Sequence, residues 1–311
     1  MRLSYCIVAV VMVMSSLAHA PVKAIKMTSS SADQRLFVRH WKSGHEVVDE
    51  IPITHNPPPA IPFMPSTTSF NITYTPDKIF PPDGRFKVTP TTLYPFSAVV
   101  KVQYKNENGS LFECTGWMIG PRTVATAAHC IYDDANSAYF KGYVVTPAVD
   151  SSSTITQPYG SCGVKDKSDL YVPASYPLII TDDFGVILLN CNIGVKTGWF
   201  GFRSSNPSDN TKIVVPGYQG DKPNDEMWAS FGDTKGVSSL LSLLYHDADT
   251  FGGSSGAPVW TSSDPSYALA INVRDPVFTS WNEATLISDR VHSFLYSYKN
   301  AALVYLPIIQ R

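Results

Sequence analysis

The chain is a succession of short apolar or alternating runs broken by turn residues, with little that reads as helix, and this pattern restricts it to a β fold. Ser97 to Tyr104 alternates as a strand, and Asn106 to Gly109 supplies a turn. Many similar units follow, which predicts an all-β sandwich or a pair of barrels. The exception is near the C-terminal end. Ser288 or Asp289 can cap a helix in which Val291, Phe294, Leu295 and Tyr298 fall at i, i+3, i+4 and i+7. With 311 residues, 44% of them apolar, the chain can bury the core of one large β domain or two small ones. A formal net charge of -2 gives no electrostatic reason for a nucleic-acid partner. Charged residues make up only 16%, which reads as a bland extracellular surface.

Within this β pattern, one stretch has the makings of a reactive site: Gly252-Gly253-Ser254-Ser255-Gly256-Ala257-Pro258-Val259-Trp260. Glycines permit turns that other residues cannot make and let a second backbone approach closely. A serine so placed can expose its hydroxyl beside two free backbone N–H groups. Serine is a poor nucleophile until a base takes its proton. Upstream, Thr126-Ala127-Ala128-His129-Cys130 offers an imidazole, which titrates near neutrality and can serve as base and then acid. Asp182-Asp183-Phe184-Gly185 leads into the apolar run Val186-Ile187-Leu188-Leu189 and offers a carboxylate to orient that imidazole. Taken singly, each has a plain structural reading: a serine-rich turn, a structural histidine, a strand-entry aspartate. His246, the histidine nearest the serine in sequence, is read as pocket wall or surface.

Together these stretches resemble the chymotrypsin-like serine endopeptidases, and more closely the glutamyl endopeptidase or V8-like branch. Val195-Lys196-Thr197-Gly198-Trp199-Phe200-Gly201-Phe202-Arg203 and Val215-Pro216-Gly217-Tyr218-Gln219-Gly220-Asp221-Lys222 are further matches, and the resemblance covers roughly residues 83 to 300. It implies two six-stranded antiparallel β-barrels with a cleft between them and a C-terminal helix packed on the second barrel. It implies a monomer that hydrolyses protein or peptide substrates through an acyl-enzyme, with no cofactor. The G-x-S-G-x-P register of Gly253 to Pro258 makes Ser255, not Ser254, the nucleophile. In the family the aspartate is followed by two residues and then an apolar strand, which selects Asp183 over Asp182. The triad is then His129, Asp183 and Ser255, and the oxyanion hole is Gly253 and Ser255.

The resemblance also indicates a primary pocket around Asp249, Thr250, Asn272, Val273 and Arg274. Glutamyl endopeptidases carry a histidine on the strand after the nucleophile; the matching strand, Ala268 to Val273, has Asn272 there. An amide lacks the charge that strengthens a bond to a carboxylate. Asp249, six residues before Ser255, favours Lys or Arg, while Arg274 pulls the other way. The expectation is broad or basic preference ahead of strict glutamate preference. The aspartate that trypsin-type zymogens place before the nucleophile is Ser254 here, so their switch is missing. Two rival readings are a catalytically silent homologue acting as a binding protein, and an esterase of another fold. The α/β-hydrolase order Ser, Asp, His is the reverse of that seen, and its G-x-S-x-G elbow is absent.

The N-terminal part differs from the rest. Residues 1–20 read as a secretory signal: Arg2, the apolar run Tyr5 to Leu17, and the small-x-small Ala18-His19-Ala20. That run is short for a membrane span, so the mature protein is expected to be secreted and free of the membrane. Residues 21–78 have poor periodicity and contain Pro52, Pro57, Pro58, Pro59, Pro62 and Pro65, which predicts a stretch outside any sheet interior. They are read as a propeptide that restrains the enzyme, the alternative being a disordered tail or linker. The protease domain is then 79–311, with a cut after Lys78 as a candidate and Asp83-Gly84-Arg85 near the mature start. Once Cys6 leaves with the signal, Cys114, Cys130, Cys162 and Cys191 remain; four cysteines allow three pairings, and their spacing does not suggest a metal site. The family resemblance implies Cys114–Cys130, which leaves Cys162 with Cys191. Asn71-Ile72-Thr73 and Asn108-Gly109-Ser110 are glycosylation sequons.

Overall fold

The computed structural model describes residues 35–65, 83–154, 156–179, 181–274 and 280–301, with the side chain of Arg274 excepted. The signal segment, the Asn71 sequon and Lys78 lie outside these residues. The first strands are β1 (Arg35–Lys42), β2 (His45–Pro52), β3 (Phe86–Lys87), β4 (Val99–Lys105), β5 (Leu111–Met118) and β6 (Thr123–Thr126). Then come β7 (Tyr132–Asp133), β8 (Ala138–Tyr139), β9 (Lys141–Pro147), β10 (Cys162–Gly163), β11 (Leu170–Pro173) and β12 (Gly185–Leu188). A short helix, α1 (Gly194–Thr197), leads to β13 (Gly201–Phe202), β14 (Lys212–Gly217), β15 (Trp228–Ser238) and β16 (Leu243–His246). The chain ends its described course with β17 (Pro258–Thr261), β18 (Asp264–Arg274), β19 (Asn282–Leu286) and α2 (Asp289–Lys299).

Two large sheets result. The first has the order β10-β9-β4-β5-β6-β12-β11-β1-β2, and six consecutive members, β9 to β11, come from the body of the chain. The second runs β13-β18-β17-β14-β15-β16-β19; β18 also pairs with β19, which closes six antiparallel strands into a barrel. Strand side chains alternate between faces, and β14 uses both. Ile213 and Val215 join the interior cluster of the closed barrel, whereas Val214 belongs to the larger core. Fully buried Trp117 of β5 and Trp260 of β17 meet through Phe200, at ring distances of 5.6 and 5.4 Å. Phe200 lies on the link between the two sheets, so three aromatic rings join them.

Two expectations are corrected. Residues 35–52 are not aperiodic: they form a complete hairpin, with Arg35 opposite Pro52 and Lys42 opposite His45, and β1 pairs with β11. Leu36, Val38 and His40 are its buried face. The alternation is hidden because His40 points inward while Phe37 and Trp41 occupy the other face; Ser43-Gly44, both at positive φ, make the tight turn. Pro52 ends the edge strand, where a missing N–H costs no ladder bond. The second correction concerns α2, which follows the closed barrel in sequence but packs on the first sheet. Phe294 meets Phe184 edge-on at 5.1 Å, Tyr298 lies 4.3 Å from Tyr171, and Thr123 Oγ1 donates to the Tyr298 carbonyl at 2.9 Å. Gly120 admits the end of the helix; a Cβ there would lie 1.9 Å from the Lys299 carbonyl oxygen.

Candidate active site

The first sheet brings the histidine and the aspartate together by topology. β6 and β12 are antiparallel neighbours, with Thr126 opposite Gly185. What leaves β6 and what enters β12 therefore share one end of the sheet. His129 sits in a 3-10 turn just after β6, behind the fully buried Ala127 and Ala128. Asp183, buried, precedes β12. Its Oδ1 accepts the His129 backbone N–H at 3.0 Å and its Oδ2 lies 2.8 Å from His129 Nδ1. A carboxylate only accepts, so Nδ1 carries the ring proton and Nε2 is left as the basic nitrogen. The neighbouring Asp182 is engaged elsewhere, with Arg290 and Ser175.

The serine loop comes from the second sheet and is docked onto the first. Thr115 N donates to the Ser255 carbonyl at 2.9 Å, and that carbonyl is 3.9 Å from Cys130 Sγ, next in sequence to His129. Gly256 has φ +84°, and a Cβ there would lie 2.1 Å from Thr126 Oγ1. No other residue could let the loop approach β6 so closely. The Ser254 hydroxyl is buried and donates to the Phe251 carbonyl at 2.7 Å, while Ser255 is only part-buried.

The amides of Gly253 and Ser255 are oriented by the carbonyls preceding them. Gly220 N donates to the Gly252 carbonyl at 2.8 Å; Ala257 N, at 3.0 Å, and Asn272 Nδ2, at 3.2 Å, donate to the Ser254 carbonyl. A trans peptide holds its N–H opposite its C=O, so both N–H groups face away from these bonds. Among the described residues neither N–H has an internal acceptor. Thr115 Oγ1 fixes the intervening peptide by donating to the Gly253 carbonyl at 2.8 Å while accepting Tyr218 N at 2.9 Å. Nothing in the sequence marks Thr115 for this, because its partners lie more than a hundred residues away.

Asn272 of β18 is buried, and all its polar capacity points inward. Nδ2 donates to the Ser254 carbonyl and hydroxyl, each at 3.2 Å, and Oδ1 lies 3.3 Å from Nε2 of the fully buried His246. The Ser254 carbonyl only accepts, which fixes the amide orientation and makes His246 Nε2 the donor. Burial pulls the His246 pKa down to about 4, so the ring is neutral. His246 is thus neither surface nor free pocket wall. Asp249 is half-buried; its Oδ2 accepts Gly84 N at 3.1 Å, and desolvation raises its pKa. Beside it, Arg85 binds Asp83, Gln219 and Asp221, tying the 83–85 segment to the loop that holds Gly252. Val273 is buried and Thr250 half-buried. The cysteines pair as Cys114–Cys130 and Cys162–Cys191. Asn108 stands in an exposed turn.

A nine-stranded sheet that carries a histidine–aspartate pair and a closed six-stranded barrel that carries a glycine-flanked serine define the chymotrypsin-like class. Comparison with known proteins agrees. A model of the trypsin-like peptidase domain matches residues 114–265. A glutamyl endopeptidase of Bacillus licheniformis is 36% identical over 230 residues, 71% of this chain and 68% of the relative. An extracellular metalloprotease of Bacillus subtilis is 29% identical over 241 residues, 73% of this chain and 72% of the relative. The solved structure of a Glu endopeptidase in complex with MPD superposes with a TM-score of 0.60 at 26% identity, covering 70% of this chain and 97% of that one. The chain belongs to the trypsin-like serine endopeptidases that include the glutamyl endopeptidases. Among the described residues, one cluster of possible metal ligands occurs, Cys114, His129 and Cys130, within 4.8 Å. Its two sulfurs are joined in a disulfide and are not thiolates, so a single imidazole remains.

Proposed function

We propose that the protein is an exported serine endopeptidase in which His129, Asp183 and Ser255 act as the triad and the N–H groups of Gly253 and Ser255 as the oxyanion hole. The observation that carries this reading is the double grip of Asp183 on His129, at the backbone N–H and at Nδ1. It makes Nε2 the nitrogen that takes the proton of Ser255 Oγ as that oxygen bonds to the substrate carbonyl carbon. The carbonyl electron pair moves to oxygen, and the two N–H groups donate hydrogen bonds to the oxyanion that forms; one such donor contributes roughly 10²–10³ in kcat. His129 then gives its proton to the leaving amine, the C–N bond breaks, and an acyl-enzyme remains for water to open by the same steps. Residues 1–20 direct export, a segment ahead of the body restrains the zymogen, and the mature enzyme acts as a monomer on proteins or peptides.

The preferred residue before the cut is broad or basic in this reading, not strictly glutamate. Asn272 has no N–H left for a substrate carboxylate, because both are engaged by Ser254. Asp249 adds a negative group six residues before Ser255. The test is a set of peptides differing only at the residue before the cut, with Ser255→Ala as the blank. Turnover is expected in the wild type and absent in the variant. A kcat/KM for Glu more than about a hundredfold above those for Gln, Leu, Lys and Arg, roughly 2.7 kcal/mol of discrimination, would refute the specificity.

A further inference from the structure

We propose that residues 35–65 are a permanent strap of the enzyme, a segment that stays bound without a covalent link after the chain is cut between it and the protease body. The proposal rests on the reading that such a cut occurs, near Lys78. A leaving pro-segment is expected to cover the site it restrains and to leave a finished surface behind. Residues 35–65 do neither.

The strap is built into the fold at both of its ends. At one, β1 extends the first sheet: Val38 stands opposite Pro173 and Arg39 opposite Val172, Ala174 N donates to the Phe37 carbonyl at 2.8 Å, and Arg39 Nη2 donates to the Ala174 carbonyl at 3.0 Å. Leu36 and Val38 are buried, and His40 stacks on Tyr171 at 5.1 Å. At the other, Ala60 exchanges backbone hydrogen bonds with Phe202 at 2.9 and 3.2 Å, and Phe63 with Trp199 at 2.9 Å each way. The Phe63 ring stacks on Trp199 at 4.4 Å. Between them, Thr54 N donates to Ser293 Oγ at 2.9 Å and Asn56 N to Asp289 Oδ2 at 3.1 Å, both on α2.

The body is shaped to receive it. A Cβ on Gly201 would lie 2.5 Å from the Ala60 carbonyl oxygen, and one on Gly198 2.5 Å from that of Phe63. Lys299, buried at 8% exposure, donates its ammonium to the Ile61 carbonyl at 2.8 Å. Departure of the strap would strip an acceptor from this buried cation, open the β11 edge and uncover the Trp199 ring. None of these contacts involves His129, Asp183 or Ser255, so retaining the strap leaves the catalytic groups untouched. Attachment at two separate places also favours retention, since release of one end leaves the other holding it close.

The test uses the full chain carrying Ser255→Ala, to prevent self-digestion, with Thr75 to Lys78 replaced by the recognition sequence of a site-specific protease. After cutting, gel filtration in physiological buffer with mass spectrometry of each peak is expected to show the N-terminal fragment eluting with the body, and separating in concentrated guanidinium chloride. Leu36→Asp combined with Phe63→Ala is expected to release the fragment. A wild-type fragment that elutes alone overturns the proposal, whether the body stays folded or aggregates, and so does a fragment that the double variant still retains. N-terminal sequencing of the naturally secreted protein separates this result from the cleavage reading: a single intact chain there defeats the natural cut, while the engineered cut still decides the strap.

Discussion

His246 illustrates how one side chain links the fold to the reactive loop. Its Nε2 donates to Asn272, whose amide holds the Ser254 carbonyl and thereby helps turn the Ser255 N–H outward. Burial lowers its pKa from 6.5 to about 4, while in the unfolded chain it titrates near 6.5. Between those values the unfolded state binds the extra proton. The contribution is therefore fully present above about pH 6.5 and is lost as pH falls toward 4, by on the order of 3 kcal/mol. In the Ser255→Ala background, the urea midpoint is expected to fall more between about pH 7 and about pH 4.5 for the parent than for His246→Gln; equal falls would contradict this assignment. The position of Asn272 was legible from its place on the strand after the serine. Its inward hydrogen bonds were not, because His246 of β16 and Asn272 of β18 are brought together only in the folded barrel, where β19 pairs with both strands.

At the scale of elements, local pattern carried well where it was clean and failed where side chains blurred it. β4 and its following turn were readable from alternation and from Asn106-Glu107-Asn108-Gly109. The hairpin of β1 and β2 was not, since proline density downstream and an inward histidine masked an otherwise regular ladder. The register of α2 was readable from its apolar stripe, but a stripe does not name the surface that it meets, and the helix seats on the first sheet. The Cys114–Cys130 bridge ties β5 to the turn bearing His129 across a separation of 16 residues. A loop of that length contributes about 3 kcal/mol through the unfolded state. Replacing both cysteines by alanine is expected to lower guanidinium stability by about that amount; a loss below about 1 kcal/mol would show that the bridge adds little to the fold.

At the scale of the molecule, the proposed catalytic groups are divided between the two sheets: His129 and Asp183 from the first, the serine loop from the second. Trp117, Phe200 and Trp260 join the sheets, and Thr115 and Gly256 dock the loop. The order of the candidate residues was legible because the chemistry needs a few residue types in recognisable local settings. The docking was not, because a threonine or a glycine carries no mark of a distant partner. The central claim is that Ser255, activated by His129, is the nucleophile. Its most direct test is stoichiometric labelling of the natively processed protein with a fluorophosphonate, followed by mass mapping of the modified peptide. The label is expected on Ser255 and is expected to disappear in His129→Ala. A folded, processed protein that takes no label, or takes it on Ser254, would contradict the account.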